Sequence, residues 1–379
     1  MSTIPSSVAP RRSSLAGLLA SRWGPIITGL AVGILAPLLV AQGNPGNMGI
    51  CVACFTRDTA GALGLHRAAV VQYIRPELSG FVLGSLLAAL VFREFRPRTG
   101  SAPLVRFVLG AFAMIGAMVF LGCPWRAYLR LGGGDLNAFF GIAGLAGGIL
   151  VGIVFLRAGF SLGRSRPAPY ALGWVMPALM VGLLALLLLA PQFGRDANGA
   201  PTGPVFFSAS GPGSQHAPFL VALGVGLLIG FLAQRSRFCT VGAVRDLVLM
   251  RDPHLFYGLV ALVVAALATN LALGQFNLGF LNQPVAHTDE LWNFGGMLLA
   301  GLSFTLAGGC PGRQLFLAGE GDGDAAVFVL GMLVGAAFAH NFNLASSASG
   351  AGPLGPAAVA VGLVVCGAIG LSMRERALA

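Results

Sequence analysis

The sequence contains no lysine. All 23 of its basic residues are arginines, and with only 13 acidic residues the formal net charge is +10. Charged residues make up 9% of the 379 residues, whereas hydrophobic residues make up 56%. Soluble domains carry about 25% charged residues, so this composition excludes a soluble globular protein. A sequence without lysine also has no GxxxxGK[ST] phosphate-binding loop, which excludes transport powered by an ATPase domain within it.

The apolar residues are gathered into ten segments, each near the length of about 20 residues that crosses a bilayer. We expect an all-α polytopic membrane protein, with several segments short enough to suggest re-entrant, interrupted helices. Placing the N- and C-termini in the cytoplasm puts most arginines on the cytoplasmic side, as is typical of the cytoplasmic loops of membrane proteins. The segments are 23–42, 68–92, 104–121, 137–156, 170–191, 218–233, 254–273, 293–308, 325–345 and 353–372.

Two pairs of cysteine-bearing breaks recur in the same order in the two halves of the chain. The sequence CVACFTRD begins at Cys51 and CTVGAVRD at Cys239, and GCPWR surrounds Cys123 as GCPGR surrounds Cys310. Glycine-rich acidic turns follow the second pair, at 132–135 and 321–324, and we expect them to be surface connections. This order indicates a duplicated unit.

Each predicted unit contains five spans, an odd number, so the second unit lies inverted in the membrane. Inverted repeats with interrupted helices that meet near the midplane are a transporter architecture. The predicted organisation is a cytoplasmic N-terminal segment (1–22), a first inverted repeat (23–191), a periplasmic connection (192–217), and a second inverted repeat with a short cytoplasmic C-terminus (218–379).

Five of the six cysteines lie in the breaks, and Cys366 lies in the last span as a small buried residue. The pair Cys51 and Cys54 has the CxxC spacing of a redox pair or of half a metal site. The five histidines form no compact ligand motif, so we expect no metal. The repeat has Gly242 in place of Cys54, which weakens the case for dithiol chemistry.

Arginine beside the cysteines indicates an anion. A guanidinium at bilayer depth is costly unless it is paired or hydrated, and it marks a functional site by default. Proline after Cys123 and Cys310 suits the first turn of a helix, where free amides bind anions. A thiol, amides and an arginine together suit a small oxyanion with a soft sulfur or selenium atom. The predicted anion-stabilising or gating residues are Arg57, Asp58, Arg126, Arg245, Asp246 and Arg313, of which the two Arg-Asp pairs have structural ion pairing as an equal alternative.

These motifs resemble the YeeE/YedE family of sulphur transport membrane proteins, and in particular its YedE-type (FdhT-like) branch. The resemblance rests on residues 43–58, 60–68 and 73–77, on the arginine-rich run 92–98, and on the cysteine motifs of both halves. It implies a bacterial inner-membrane protein that moves a small sulfur- or selenium-containing anion inward. Thiosulfate is the characteristic substrate, and the YedE-type branch is associated with selenium metabolism. Carried onto this sequence, the substrate path runs past Cys51, Cys54, Cys123, Cys239 and Cys310.

Our leading interpretation is therefore a transporter and not an enzyme, embedded in the lipid bilayer, with no cofactor and no nucleic-acid partner. One alternative is a membrane thiol oxidoreductase or sulfurtransferase that uses Cys51 and Cys54 covalently. Another alternative is a scaffold for a cytosolic sulfur- or selenium-handling protein. If the protein is a transporter, such a cytosolic protein is also an expected partner.

Overall fold

The computed structural model describes residues 15–189 and 203–374, and most of them are helical. Parts of the predicted segments 1–22 and 192–217, and the C-terminal residues 375–379, lie outside the described residues. The helices are α1 (Leu15–Ala20), α2 (Trp23–Ala41), α3 (Val52–Ala62), α4 (Pro76–Val91), α5 (Pro103–Phe120), α6 (Pro124–Gly132), α7 (Asn137–Arg157), α8 (Val175–Leu189), α9 (Phe219–Ser236), α10 (Thr240–Leu249), α11 (His254–Ala272), α12 (Glu290–Ala307), α13 (Pro311–Gly319), α14 (Gly323–Asn341) and α15 (Gly355–Ser372). Two-residue strands β1 (Arg98–Thr99) and β2 (Arg166–Pro167) pair antiparallel.

Within the described ranges, nine helical segments are long and apolar enough to cross a membrane, and α4 is a shorter apolar helix of 16 residues. Three of the nine segments consist of a long helix and the short helix that follows it: α5 with α6, α9 with α10, and α12 with α13. The prediction of an all-α polytopic membrane protein is confirmed.

The order of long and short helices is the same in the two halves of the chain. From α2 to α8 and again from α9 to α15, a long helix is followed by a short one, two long ones, a short one and two long ones. The main contacts follow the same correspondence, because α2 packs on α11 as α9 packs on α4, and α5 packs on α14 as α12 packs on α7. The two halves therefore pack against each other through equivalent helices.

Glycine at the helix crossings lets the backbones of the two helices approach closely. A Cβ atom on Gly29 of α2 would overlap the carbonyl oxygen of Gly258 in α11, and one on Gly80 of α4 would lie 2.8 Å from the Cα of Gly226 in α9. Small residues at helix crossings let membrane helices gain van der Waals contact and hydrogen bonds, since lipid supplies no hydrophobic drive between them. The high glycine content follows from this packing.

The expectation that the acidic turns are surface connections is wrong. Asp135 is fully buried, accepts a hydrogen bond from Arg130 Nε at 2.6 Å and joins the end of α6 to the start of α7. Asp324 is also buried and accepts from the backbone amides of Gly100 (2.9 Å) and Ser101 (3.0 Å). Each carboxylate is drawn inside because it satisfies donors that the fold has already buried.

Candidate functional site: two thiol clusters

Four short helices each begin at a cysteine. Cys51, Cys123, Cys239 and Cys310 are the N-caps of α3, α6, α10 and α13. The extended backbone at an N-cap turns its side chain toward the free amides of the first turn. The sulfurs of Cys51, Cys239 and Cys310 accept from the amide three residues later, at 3.3, 3.2 and 3.4 Å. Proline stands at the first position of α6 and α13, as the sequence predicts.

The first thiol cluster consists of Cys51, Cys54 and Cys123. The sulfurs of Cys51 and Cys54 are 2.8 Å apart and not bonded, and the thiol of Cys123 is within hydrogen-bonding range of Cys51. All three side chains are fully buried. Residues from two separate breaks, 51–54 and 123, thus meet at one place.

The second thiol cluster consists of Cys239 and Cys310, and both residues are buried. The sulfur of Cys239 accepts a hydrogen bond from the backbone amide of Cys310 at 3.3 Å, and the two thiols also lie within hydrogen-bonding range of each other. Gly242 stands where the first cluster has Cys54, so this cluster has one thiol fewer.

Arg126 places a positive charge on the first thiol cluster. Its Nη1 donates to Cys54 Sγ at 3.3 Å, and the side chain is completely buried. Other guanidinium nitrogens donate to the carbonyls of Asn47 (2.7 Å) and Val285 (2.8 Å), and Nη1 also donates to that of Leu121. Within residues 15–189 and 203–374, no carboxylate lies within 4.0 Å of this guanidinium. Its charge is therefore solvated by dipoles alone and is available to attract an anion.

Glycine before each Cys-Pro pair makes room for the arginine that follows. A Cβ atom on Gly122 would lie 2.9 Å from Cδ of Arg126, and one on Gly309 would lie 3.0 Å from Cγ of Arg313. Arg313 lies near Glu320, with 3.5 Å between Nη1 and Oε1. The Gly-Cys-Pro-X-Arg sequence thus folds each arginine back over its own helix start.

The two predicted Arg-Asp pairs both form, in different surroundings. Arg57 and Asp58 are buried and 2.7 Å apart, and Arg75 adds a second guanidinium at 2.7 Å from the other carboxylate oxygen. Arg245 and Asp246 pair at 2.7 Å with both side chains partly exposed. Arg75 is a partner that the Arg-Asp motif does not predict, although its place directly before Pro76 at a helix start is a usable signal.

Two cavities are lined by residues that lie close in sequence to the cluster cysteines, although not by the cysteines themselves. One, of about 260 Å³, is lined by Asn47 and Gly49 just ahead of Cys51, and by amide side chains that include Asn270, Gln275 and Gln283. Another, of about 160 Å³, adjoins the helix that begins at Cys310. Its charged lining residues are Glu94, Arg96, Arg98, Arg237, Arg313 and Glu320. The first cavity has no charged lining residue, whereas four arginines and two glutamates line the second.

The sequence also predicts a structural role for Cys366 and no metal site. Cys366 is buried in α15 with its sulfur 3.3 Å from Ser303 Oγ, apart from both clusters, which fits its assignment as a structural residue. Across the described residues, no group of three or more His, Cys, Asp or Glu side chains is arranged to hold a metal ion.

The family model described as Sulphur transport matches residues 2–125 and 235–366. These two ranges contain all five cysteines of the thiol clusters. The chain belongs to the Sulphur transport family. The resemblance predicted from the cysteine motifs is thereby confirmed.

Two curated relatives carry the name Thiosulfate transporter TsuA. The relative from Escherichia coli (strain K12) is 34% identical over 102 residues, which cover 27% of this chain and 28% of the relative. The one from Spirochaeta thermophila is 33% identical over 97 residues, which cover 26% of this chain and 29% of the relative. The matched region is thus less than a third of the length of either relative.

Proposed function

We propose that this protein is a membrane transporter that carries a small sulfur-containing oxyanion such as thiosulfate, or a selenium counterpart, inward past the cysteines of the two thiol clusters. Membership of the Sulphur transport family and the names of the two relatives support the substrate class. The observation that carries the proposal is the buried guanidinium of Arg126 at the first thiol cluster, 3.3 Å from Cys54 Sγ, which has no carboxylate within 4.0 Å among the described residues.

The proposed binding chemistry separates the two ends of the substrate. The terminal sulfur of thiosulfate is large and polarisable and accepts the weak hydrogen bonds that thiols donate. Its oxygen atoms carry negative charge, which helix N-termini and Arg126 attract. A thiol at the N-cap of a short helix supplies both kinds of contact within one small volume.

The order of the proposed binding sites suits transport of the anion through the protein and not its retention. We infer that the anion enters through the amide-lined cavity, meets the first thiol cluster, then the second, and leaves through the arginine-rich cavity beside Arg313. Conduction needs sites that bind well enough to admit the ligand and weakly enough to release it. Several thiol contacts in series meet that requirement.

The proposed orientation in the membrane follows from the arginines and the repeat. With both termini in the cytoplasm of a bacterial cell, residues 23–191 and 218–379 form two repeats of opposite orientation in the inner membrane. The first thiol cluster then faces outward, and the second faces the cytoplasm. The arginine-rich cavity lies on the cytoplasmic side, where a sulfur- or selenium-handling protein could receive the substrate.

Uptake by the purified protein tests the proposal. Liposomes that contain only this protein should accumulate ³⁵S-thiosulfate, and unlabelled sulfite, selenite and sulfate measure selectivity. We expect Arg126→Gln to lower uptake more than tenfold, whereas Arg157→Gln, at the exposed end of α7, should leave it unchanged. Folded wild-type protein that takes up no more thiosulfate than protein-free liposomes would contradict the proposal.

The alternative of a membrane thiol oxidoreductase or sulfurtransferase draws support from the 2.8 Å separation of the Cys51 and Cys54 sulfurs. It requires a sulfur adduct on one of these thiols during turnover. Mass spectrometry of protein quenched during uptake distinguishes the two functions, because a path of hydrogen bonds leaves every cysteine unmodified.

A further inference from the structure

Trp125 lies between the two thiol clusters. It follows Cys123 by two residues, at the second position of α6, and its side chain is fully buried. Its ring is 5.6 Å from that of Phe238, the residue before Cys239. It also lies over Gly312, two residues after Cys310, since a Cβ atom there would be 3.0 Å from Cζ2 of the indole. One side chain therefore reaches from the first cluster to both helix starts of the second.

The indole N–H of Trp125 has no hydrogen-bond acceptor among the residues that the structure describes. Buried donors are almost always paired, and an unpaired one costs free energy that a fold normally avoids. The surrounding rings offer no oxygen: Phe81, Phe238 and Phe316 lie at 6.2, 5.6 and 6.0 Å between ring centroids. An acceptor that arrives from outside the protein would remove this cost.

Only the first half of the chain has a tryptophan at the second position after this cysteine. Trp125 follows Cys123-Pro124, and Gly312 follows Cys310-Pro311 at the equivalent position. The indole fills the space over Gly312, so a second large side chain would not fit. The structure thus provides one indole donor between the clusters instead of two.

We propose that the indole N–H of Trp125 donates a hydrogen bond to an oxygen atom of the anion as it passes from the first thiol cluster to the second. Thiols hold the sulfur end, and Trp125 holds the oxygen end in the apolar stretch between them. This assigns Trp125 as a substrate-contacting residue that favours oxyanions. The inference rests on the proposed function and names a further residue of the same path.

Replacement of Trp125 by benzothienylalanine tests the hydrogen bond alone, because sulfur replaces the N–H within a ring of nearly the same shape. We expect thiosulfate uptake into liposomes to fall about ten- to a hundredfold, as for the loss of one hydrogen bond to an anion. The midpoint of thermal unfolding should stay the same or rise, because no protein acceptor loses its donor. The same replacement at Trp292 in α12 is the matched control and should change neither quantity.

The outcomes separate this inference from the proposed function. No uptake by the wild-type protein overturns the function itself. Normal wild-type uptake that does not change when benzothienylalanine replaces Trp125 overturns the role of the N–H. A lowered unfolding midpoint also overturns it, because that result would reveal an acceptor within the protein. Gly312→Ala gives a second measurement: it should displace the indole and lower uptake at least tenfold, whereas Gly367→Ala, where a Cβ atom meets nothing within 4 Å, should not.

Discussion

The backbone amide of Cys310 donates a hydrogen bond to the sulfur of Cys239 at 3.3 Å. The same sulfur accepts from the amide of Gly242 at 3.2 Å, so one atom joins the N-terminus of α10 to the N-cap of α13. Cys239 therefore has two separable functions. Its sulfur accepts hydrogen bonds from two helix starts, as the hydroxyl oxygen of a serine would. It also presents a large, polarisable atom, which a hydroxyl oxygen is not.

Replacing Cys239 by serine separates these two functions. Serine is a favoured N-cap, so we expect the thermal unfolding midpoint of Cys239→Ser to stay close to that of the wild type. Uptake of ³⁵S-thiosulfate should nevertheless fall at least tenfold, because the hydroxyl is a smaller and harder group beside the terminal sulfur. Cys366→Ser in α15 is the matched control and should transport normally. Wild-type uptake by Cys239→Ser would show that the path uses the cap geometry and not the sulfur.

Cys54 is the thiol that the second half lacks. Because the second cluster has glycine at the equivalent position, the first cluster should tolerate the loss of Cys54. In Cys54→Gly the first cluster acquires the arrangement that the second has at Gly242. We expect more than a third of wild-type uptake to remain, because Cys51 still caps α3 and Cys123 still faces it. Cys123→Ala should lose more than nine-tenths of uptake in the same liposome assay. Complete loss in Cys54→Gly would favour the dithiol chemistry of an oxidoreductase or sulfurtransferase.

The sequence predicts the helices well because apolar length is a local property. The segment 254–273 appears as His254–Ala272, and 137–156 as Asn137–Arg157. The segment 68–92 begins too early, since α4 starts only at Pro76. Residues 68–75 are apolar enough to resemble a span, yet Arg75 in this stretch turns inward to pair with Asp58, a contact that hydropathy does not show.

The site is less predictable because its parts come together only in the folded chain. The recurrent cysteine motifs contain all five thiols, but their recurrence does not show that Cys123 joins Cys51 while Cys310 joins Cys239. Arg126 is recognisable as a charge beside a cysteine, whereas its carbonyl partners Asn47 and Val285 lie far away in sequence. Trp125 has no sequence signal of its own, since only the space over Gly312 explains its position.

Two buried histidines predict how stability depends on pH. His66 Nε2 donates to the carbonyl of Arg57 at 3.0 Å while Nδ1 accepts from the amide of Ala68, and His287 is bound likewise by Val119 (2.9 Å) and Asp289. Each ring thus needs one protonated and one free nitrogen, the neutral form. Burial is the main cause that lowers the pKa of both imidazoles.

The folded state binds a proton on each of these imidazoles less tightly than the unfolded state does. The stability that the neutral rings contribute is therefore fully present above the ordinary histidine pKa of about 6.5 and is lost as the pH falls below it. We expect the thermal unfolding midpoint in detergent to be lower at pH 5.5 than at pH 7.5. His287→Gln should reduce this difference, and His254→Gln, at the partly exposed start of α11, should not. A midpoint that does not change between the two pH values would contradict the neutral pairing.

The equivalent carboxylates Asp58 and Asp246 predict unequal effects of the same substitution. Asp58 is buried between two guanidiniums, those of Arg57 and Arg75. Asp58→Asn leaves both charges without their counter-ion, and removing one partner from a buried ion pair costs about 3–5 kcal/mol. Asp246 has one arginine partner and remains partly exposed. Its substitution by asparagine should cost about 1 kcal/mol or less, as for exposed pairs.

Thermal unfolding of the two variants in the same detergent measures this difference, and uptake shows whether either carboxylate also acts on the anion. We expect Asp58→Asn to lower the unfolding midpoint clearly and Asp246→Asn to leave it nearly unchanged. If Asp58 serves structure alone, the Asp58→Asn protein that remains folded should transport at a rate close to that of the wild type. Faster uptake by that fraction would instead mean that Asp58 repels the anion in the wild type, because its loss frees the positive charge of Arg57 and Arg75 beside the first thiol cluster.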